Sequence, residues 1–182
     1  MFQRAITAEA ELRQLRLEDA EELFAAVDRN RAYLRTFLPW VDSTRGVEDV
    51  RTFLRTVEQQ AAANEGFATG LSVQGRLAGC VGLHRIDWPN RALSLGYWLD
   101  EQHQGRGLIT AACRVMIGYL FEELKLNRVE IRCAVENTRS QAIPERLGFR
   151  REGVLRQASW CNDRFLDLVV YSILAGEWPT SS

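Results

Sequence analysis

The chain has 182 residues, of which 46% are hydrophobic and 26% charged, and its formal net charge at pH 7 is −1. This length predicts a single domain, residues 1–182, whose core is large enough to need no disulfide or metal. The near-zero charge, without a run of like charges, argues against a protein that binds nucleic acid through a broad basic surface. The sequence has no signal-peptide pattern and no apolar stretch of membrane-spanning length, so we expect a cytoplasmic protein without membrane contact.

The cysteines and histidines do not predict a metal site. Only two histidines occur, His84 and His103, and no spacing of cysteines or carboxylates suggests a ligand set. The cysteines lie far apart in apolar segments, where a free thiol serves as a small core residue. They are Cys80, Cys113, Cys133 and Cys161.

The first hundred residues predict two helices and four strands. Apolar residues at helical spacing place the helices at Leu17 to Asn30 and at Val47 to about Asn64. The segment between them mixes aromatic residues with Pro39 and charges, which favours a loop or a broken helix. The predicted strands are Leu12 to Leu15, Phe67 to Val73, Leu77 to Ile86 and Leu93 to Leu99, with a tight Gln74-Gly75 turn between the second and third.

The remaining residues predict two helices and three strands. A strongly amphipathic helix begins at Leu108, and the alternating segment RVEIRCAV predicts a strand from Arg128 to Val135. A short helix from Ser140 to Leu147 ends at Gly148, which suits a C-cap. Two final strands, VLRQASW and FLDLVVYSIL, pair around a turn at residues 161–164. We therefore expect one α/β domain with a mixed, mostly antiparallel seven-stranded sheet and about four helices.

A glycine-rich turn, QHQGRG at residues 102–107, lies between a predicted strand and a predicted helix. A helix N-terminus offers unpaired N–H groups and partial positive charge, and glycines let a phosphate approach the backbone closely. A P-loop is excluded because Leu108 and Ile109 follow Gly107 where Lys and Ser or Thr are required. A dinucleotide-binding loop is disfavoured because Thr110 replaces the last glycine and the motif follows three strands.

A third phosphate-binding pattern, Gln/Arg-x-x-Gly-x-Gly/Ala, is matched at Gln102, Gly105 and Gly107. It is the pyrophosphate signature of the GCN5-related N-acetyltransferase (GNAT) family. Four downstream residues match the family's next signature, Asn-x-x-Ser followed by Gly-Phe: Asn137, Ser140, Gly148 and Phe149. With the segments NRAYLRTFLPWVD and LRQASWCNDRFLDLVVYSI, nearly the whole chain resembles the RimJ/RimL type of ribosomal-protein N-terminal acetyltransferase.

The resemblance implies that the cofactor is acetyl-CoA, held by the part of the chain at about residues 93–150. The pyrophosphate would lie on the backbone N–H groups of residues 104–108, and the pantetheine arm would lie along the strand edge at Trp98 and Leu99, where two core strands part. The cofactor-binding residues implied are Trp98, Leu99, Gln102, Gln104, Gly105, Arg106, Gly107, Leu108, Ile109, Thr110, Asn137 and Ser140. For Arg106, a solvated side chain is the alternative.

Three residues are implied in the chemistry. The backbone N–H of Leu99 would polarise the thioester carbonyl, and Asn137 would bind the pantetheine amides. Ser140, with water as the alternative, would protonate the leaving thiolate. Asn137 and Ser140 are also suited to capping the short helix. The chain departs from the family at Pro144, where many members have a tyrosine acid, and at Ser159, which aligns with a glutamate base. The base therefore stays open, with water-mediated deprotonation that involves Glu136 or Asp100 as one option.

The acceptor is expected at residues 28–45 and 154–172, where Tyr33, Phe37, Trp40 and Trp160 would line a cleft, unless they pack between elements instead. An α-amine, with a pKa of about 7.7–8.0, needs a weaker base than lysine, which favours a protein N-terminus. We thus expect acetyl transfer by direct attack in a ternary complex, in a chain that forms a homodimer. The alternatives are acetylation of a small amine, such as an antibiotic or metabolite, and a non-catalytic acyl-CoA-binding module.

Overall fold

A computed structural model describes residues 2–179, and its strands form one mixed eight-stranded sheet. The spatial order is β1-β2-β3-β4-β5-β6-β8-β7, and every neighbouring pair is antiparallel except β5 and β6. The strands are β1 (Gln3–Ala5), β2 (Ala10–Gln14), β3 (Ala68–Val73), β4 (Arg76–Leu83), β5 (Ala92–Leu99), β6 (Arg128–Ala134), β7 (Arg150–Cys161) and β8 (Arg164–Leu174).

Helices cover both faces of this sheet. They are α1 (Ala20–Arg29), α2 (Arg31–Leu34), α3 (Val47–Ala62), α4 (Leu108–Glu122) and α5 (Thr138–Arg146). Helices α1 and α3 pack on one face over Leu15, Leu77 and Cys80. Helix α4 packs on the other face, in the largest apolar cluster, and contacts α5. Within residues 2–179, no helix is long and apolar enough to cross a membrane.

The predicted α/β class and the mixed, mostly antiparallel sheet are confirmed, with one more strand and one more helix than expected. Strand β1 has three exposed residues at the sheet edge, so it carries no apolar alternation that a sequence could reveal. Helix α2 is a single turn inside the segment that was expected to be a loop or broken helix. The short helix α5 begins at Thr138, two residues earlier than predicted, because Asn137 caps it.

Both predicted tight turns have the backbone that two-residue hairpins favour. Gln74 and Gly75 have φ of 50° and 76°, and Asn162 and Asp163 have φ of 50° and 56°. Positive φ at both central residues matches the right-handed twist of the flanking strands. These turns set the pairing of β3 with β4 and of β7 with β8.

The parallel strands β5 and β6 pair only along part of their length. Their pairing ends at Leu95 and Ile131, although β5 continues to Leu99 and β6 to Ala134. Residues 96–99 and 132–134 therefore separate and leave a gap in the middle of the sheet. We call this opening the β5–β6 gap.

The chain between α1 and α3, residues 30–46, contains only short helical turns, and an arginine holds residues 30–44 together. The guanidinium of Arg31 donates to the carbonyl oxygens of Val41 and Thr44, both at 2.7 Å. Val41 is fully buried with Val27 and Leu34 in a small apolar cluster. We call residues 30–44 the α2 segment. These contacts hold it against the sheet as a compact unit.

Strand β4 approaches β5 most closely at a glycine beside the β5–β6 gap. A Cβ on Gly79 would overlap the carbonyl oxygen of Trp98 and would lie 3.1 Å from the Cα of Leu99. Gly79 pairs directly with Leu99, so only a residue without a side chain lets β4 support the end of β5 at this distance.

We predict that Gly79→Ala destabilises the protein, because the new methyl group must push β5 away. Overpacking of this kind costs about 1–3 kcal/mol, and urea unfolding followed by circular dichroism measures it. Gly82→Ala is the matched control, since Gly82 lies on the same strand with no atom within 4 Å of its Cβ position. Equal losses of stability in the two variants would contradict the close-approach argument.

Candidate functional site

The glycine-rich turn adopts an open conformation at the N-terminus of α4. We call residues 102–107 the glycine loop. Gly105 and Gly107 have φ of 74° and 71°, a region that other residues adopt only with strain. No atom lies within 4 Å of the Cβ position of either glycine, so the space above the loop is free.

This loop presents a row of unpaired backbone donors. Helix α4 has no side-chain cap, and its first internal hydrogen bond runs from Ala111 N–H to the Gly107 carbonyl. Among the described residues, the N–H groups of residues 105–110 have no acceptor. One predicted donor differs, because the N–H of Gln104 donates to the Glu101 carbonyl at 3.3 Å. The arrangement fits a pyrophosphate, which offers oxygens to several such donors at a helix N-terminus.

Two side-chain contacts fix the loop to its surroundings. The guanidinium of Arg139 on α5 donates to Oε1 of Gln104 at 2.7 Å, which joins the loop to the first turn of that helix. At the other end, Oδ1 of Asp100 accepts from the N–H of Gln102 at 3.1 Å. The loop is therefore held from both sides before any ligand binds.

Asp100 belongs to a network that sequence reasoning missed. Its carboxylate accepts from Nε of Arg29 at 2.7 Å, and Arg29 also donates to the Leu77 carbonyl. The buried Asn30 accepts from the N–H of Glu101 at 3.0 Å. Burial raises the pKa of Asp100, but the hydrogen bonds from Arg29 and Gln102 outweigh burial, so its pKa lies below the ordinary value. Asp100 is consequently a structural anion and a poor base.

The hydrogen-bond alternation of β5 decides which backbone groups face the β5–β6 gap. The N–H of Asp100 donates to Ala78 on β4, and His84 donates to the carbonyl of Ser94. Even-numbered residues of β5 thus bond to β4, and odd-numbered residues point toward β6. The N–H of Leu99 is directed into the gap, as is that of Tyr97. The backbone N–H and carbonyl groups of Trp98 face β4. Of the two strand residues predicted to contact the pantetheine arm, only Leu99 therefore directs backbone groups into the gap, as Tyr97 also does.

The second signature places Asn137 and Ser140 beside this gap, at the start of α5. Oδ1 of Asn137 accepts from the N–H of Ser140 at 3.2 Å, so the capping role that the sequence left open is present. Among the described residues, the amide nitrogen of Asn137 has no partner and stays available as a donor. Oγ of Ser140 lies 3.3 Å from Sγ of Cys133 on β6 and 3.4 Å from the hydroxyl of Tyr97 on β5.

Tyr97 was not singled out from the sequence, and Cys133 was expected only as a small core residue. The Tyr97 hydroxyl donates to the Ser140 carbonyl at 2.8 Å and lies 4.0 Å from Cys133 Sγ. Burial raises the pKa of the Tyr97 hydroxyl well above its usual range, and burial also raises the pKa of the Cys133 thiol. Both groups therefore stay protonated at neutral pH, next to Ser140.

The four aromatic residues expected at an acceptor cleft do not all come together. Tyr33 and Trp98 pack on the small cluster of the α2 segment, and Trp40, which is 37% exposed, lies 6.4 Å from Trp98 between ring centroids. Phe37 packs on another cluster, formed by Ala134, Cys161 and Leu166. The α2 segment thus touches β5 on one side of the gap and β6 on the other.

Trp160 lies apart from the other three aromatic residues. It pairs with Phe165 at 4.7 Å between ring centroids, and both rings are more than half exposed. Because side chains alternate along a strand, these rings lie on the opposite face of the hairpin from Cys161 and Leu166. Trp160 therefore does not share a cleft with Phe37.

The other residues considered as a base are engaged or too weak. Glu136 forms an ion pair with Arg164 at 2.8 Å, and Asp100 is paired with Arg29. Ser159 lies opposite Leu166, on the face that carries Phe37 and Cys161. Residues 2–179 contain no cluster of three His, Cys, Asp or Glu that could hold a metal ion.

Comparison with known proteins identifies a family model that matches residues 10–150, the acetyltransferase (GNAT) domain. A Bacillus subtilis protein, YdaF, is 39% identical over 98% of both chains, and its name assigns it provisionally as a ribosomal N-acetyltransferase. The ribosomal-protein-serine acetyltransferase of Escherichia coli is 30% identical over 92% of this chain and 93% of its own.

A solved structure of RimL, described as a ribosomal L7/L12 alpha-N-protein acetyltransferase, superimposes with a TM-score of 0.90. It shares 26% identity and covers 95% of this chain and 98% of its own. That structure contains coenzyme A in a disulfide with a cysteine.

We predict that Asp100→Asn weakens both the fold and the affinity for coenzyme A. The neutral amide loses the charge-assisted bond with Arg29 and loosens the entry to the glycine loop, at a cost of about 1–3 kcal/mol. Because the pKa of Asp100 is lowered, its contribution is complete above pH of about 4 and is lost as the pH falls through its folded value. The variant should therefore lose less stability than the wild type on acidification.

Urea unfolding between pH 7 and pH 3 and calorimetric titration with coenzyme A measure these effects. Asp42→Asn is the matched control, since Asp42 pairs with Arg35 at 2.9 Å but is half exposed, where such pairs contribute about 0–1 kcal/mol. If both variants bind coenzyme A as the wild type does, the Asp100 network does not support the loop.

Proposed function

Because the chain belongs to the GNAT acetyltransferase family, whose cofactor is acetyl-CoA, we propose that it acetylates the N-terminal α-amine of a protein, by direct attack in a ternary complex. The observation that carries this proposal is the β5–β6 gap. On one side it adjoins the glycine loop and Ser140, and on the other it adjoins the aromatic α2 segment. Two ligands that approach from opposite faces of the sheet would meet in this gap.

The cofactor-binding part of the proposal assigns each group to a piece of acetyl-CoA. The pyrophosphate is bound by the N–H groups of residues 105–110, with Arg106 exposed beside it. The pantetheine amides bond to the free edge of β5 at Tyr97 and Leu99 and to the amide nitrogen of Asn137. The thiol end then lies near Ser140 and Cys133, which agrees with a RimL structure in which coenzyme A reaches a cysteine.

Acetyl-CoA supplies an acetyl thioester, whose sulfur leaves as a thiolate. The chain's own groups orient and stabilise this reaction. The Leu99 N–H lies in the gap as an oxyanion donor, a type of group whose removal costs about 10²–10³ in rate. The Ser140 hydroxyl is the proton donor for the thiolate, and the serine then regains a proton from water. No covalent enzyme intermediate is required, because Cys133 is protonated through burial and the amine attacks directly.

The proposed reaction does not need a strong base to deprotonate the attacking amine. Asp100 and Glu136 are both engaged in ion pairs, and Ser159 is a weak base. We propose that the amine loses its proton to water. An α-amine has a pKa of about 7.7–8.0, so a sizeable fraction is neutral at neutral pH, whereas a lysine side chain at about 10.4 is almost fully charged.

The acceptor is proposed to be a ribosomal protein, since two relatives that align over more than nine tenths of the chain are named as acetyltransferases of ribosomal proteins. The acceptor-side elements are the α2 segment and the β7–β8 hairpin, with Tyr33, Phe37 and Trp40 nearest the gap. Trp160 would contact the acceptor only outside the gap. A cytoplasmic location and a homodimer stay predictions, and light scattering coupled to size-exclusion chromatography measures the second.

A panel of acceptors tests the proposed function. The purified protein is mixed with acetyl-CoA and with lysine-free hexapeptides that begin with Ser, Ala, Thr or Met, and released thiol is measured with a chromogenic disulfide. The same peptides with a blocked N-terminus are the controls, and spermidine and an aminonucleoside represent small amines. Release with free but not blocked peptides supports the proposal. Release only with small amines would replace it, and tight acetyl-CoA binding without any release would favour a non-catalytic module.

We predict that Gly107→Ala weakens acetyl-CoA binding at least about tenfold, which corresponds to about 1.4 kcal/mol. Its φ of 71° strains any other residue, and the new methyl group enters the space above the loop that the pyrophosphate needs. Gly148→Ala is the matched control, because Gly148 has a φ of 80° and equally open surroundings but ends α5, away from the loop. Calorimetric titration of both variants with acetyl-CoA measures the affinity. Equal affinities of the two variants would show that the glycine loop is not part of the cofactor site.

A further inference from the structure

Helix α5 contains a proline at a position where the helix should donate a hydrogen bond. Pro144 is buried, and the helix runs through it from Thr138 to Arg146. In an α-helix the N–H of residue 144 would donate to the carbonyl of Ser140, four residues earlier. Proline has no N–H, so the helix itself leaves the Ser140 carbonyl without its partner.

The missing donor is supplied from the sheet. The Tyr97 hydroxyl, on β5, donates to this same Ser140 carbonyl at 2.8 Å. The hydroxyl also lies 3.4 Å from Ser140 Oγ, so it contacts both the backbone and the side chain of one residue. A partly buried carbonyl without a partner carries a desolvation cost, which the hydrogen bond from the Tyr97 hydroxyl removes.

Ser140 is therefore held through both of its backbone groups. Asn137 accepts from its N–H at 3.2 Å, and Tyr97 donates to its carbonyl. With the backbone fixed at both ends, Oγ is directed to the space shared with Cys133 Sγ, 3.3 Å away. Burial raises the pKa of the Tyr97 hydroxyl well above its usual range, so the hydroxyl is protonated and able to donate at neutral pH.

We propose that Tyr97 is a positioning residue for Ser140, and that Pro144 makes it one by leaving the Ser140 carbonyl free for the Tyr97 hydroxyl. This role rests on the proposed function, in which Ser140 protonates the leaving thiolate. Tyr97 itself transfers no proton in this scheme. It ties the first turn of α5 to β5, the strand whose Leu99 N–H faces the same gap.

A double-mutant cycle tests this coupling. Tyr97→Phe removes the hydroxyl, Pro144→Ala restores an N–H for the Ser140 carbonyl, and the fourth protein combines both. With acetyl-CoA and the best peptide of the acceptor panel, we expect Tyr97→Phe alone to lower kcat about fivefold, which corresponds to about 1 kcal/mol. The acetyl-CoA KM should change less than about twofold. In the Pro144→Ala background the same substitution should lower kcat much less, because the helix now satisfies its own carbonyl.

The control substitution is Tyr171→Phe. The Tyr171 hydroxyl also bonds to α5, through Glu145 at 2.9 Å and Gln141 at 3.2 Å, but not to the Ser140 carbonyl. Its effects on kcat and on stability should be the same in the wild-type and in the Pro144→Ala background. Equal coupling for Tyr171 and Tyr97 would mean that Pro144→Ala perturbs the whole helix, and would overturn the proposal.

Stability separates this inference from the proposed function. In urea unfolding, the loss of midpoint caused by Tyr97→Phe should shrink in the Pro144→Ala background, whether or not any acceptor is acetylated. If the two substitutions lower the stability additively, the Ser140 carbonyl does not exchange the Tyr97 hydroxyl for the N–H of residue 144, and the proposal is overturned. Coupled stability with an unchanged kcat would overturn the positioning role but leave acetyl transfer intact. A wild-type protein that binds acetyl-CoA and acetylates nothing would overturn both the proposed function and the positioning role.

Discussion

The candidate site depends on the point at which β5 and β6 stop pairing. These strands form the only parallel pair of the sheet, within residues 2–179, and their hydrogen bonds end at Leu95 and Ile131. Beyond that point the odd-numbered residues of β5 direct polar backbone groups to a strand that has moved away. Buried backbone groups without partners are costly, so a ligand with amide groups of its own is the natural occupant of this edge. In the proposed function, the gap admits such a ligand and the free edge of β5 would pair with it.

Both sides of the gap are built from elements far apart in the sequence. Asp100, at the end of β5, is paired with Arg29, at the end of α1, and that helix leads directly into the α2 segment. The same aspartate holds the entry to the glycine loop. One buried carboxylate therefore fixes the loop on one side of the sheet relative to the aromatic segment on the other. The proposed positions of donor and acceptor would then be set within the fold of a single chain.

The sequence predicted those parts of the molecule whose patterns are local. The amphipathic helix that begins at Leu108, the alternating strand from Arg128 and both tight turns were recognisable because periodicity and turn chemistry act over a few residues. Strand β1 was missed because exposed edge residues carry no such pattern.

The role of Tyr97 was also missed, since an aromatic residue in a strand is ordinarily a core residue. Its contact with the Ser140 carbonyl, 43 residues away, arises only after folding. In the sequence, Pro144 attracted attention because many members of the family have a tyrosine there. Its structural effect is different: it leaves the carbonyl of Ser140, one helical turn earlier, without a helical donor.

The arginine that fixes the α2 segment has a consequence for how an acceptor could be selected. Arg31 spans the segment with two hydrogen bonds to carbonyl oxygens, so the loop is ordered although it contains only short helical turns. A loop that is ordered in advance loses little conformational entropy when a partner binds. Discrimination between acceptors would then reside in the shape of a few aromatic side chains instead of in a folding transition. Such a scaffold can change its acceptor by exchanging individual side chains while the backbone, and the cofactor half behind it, remain as they are.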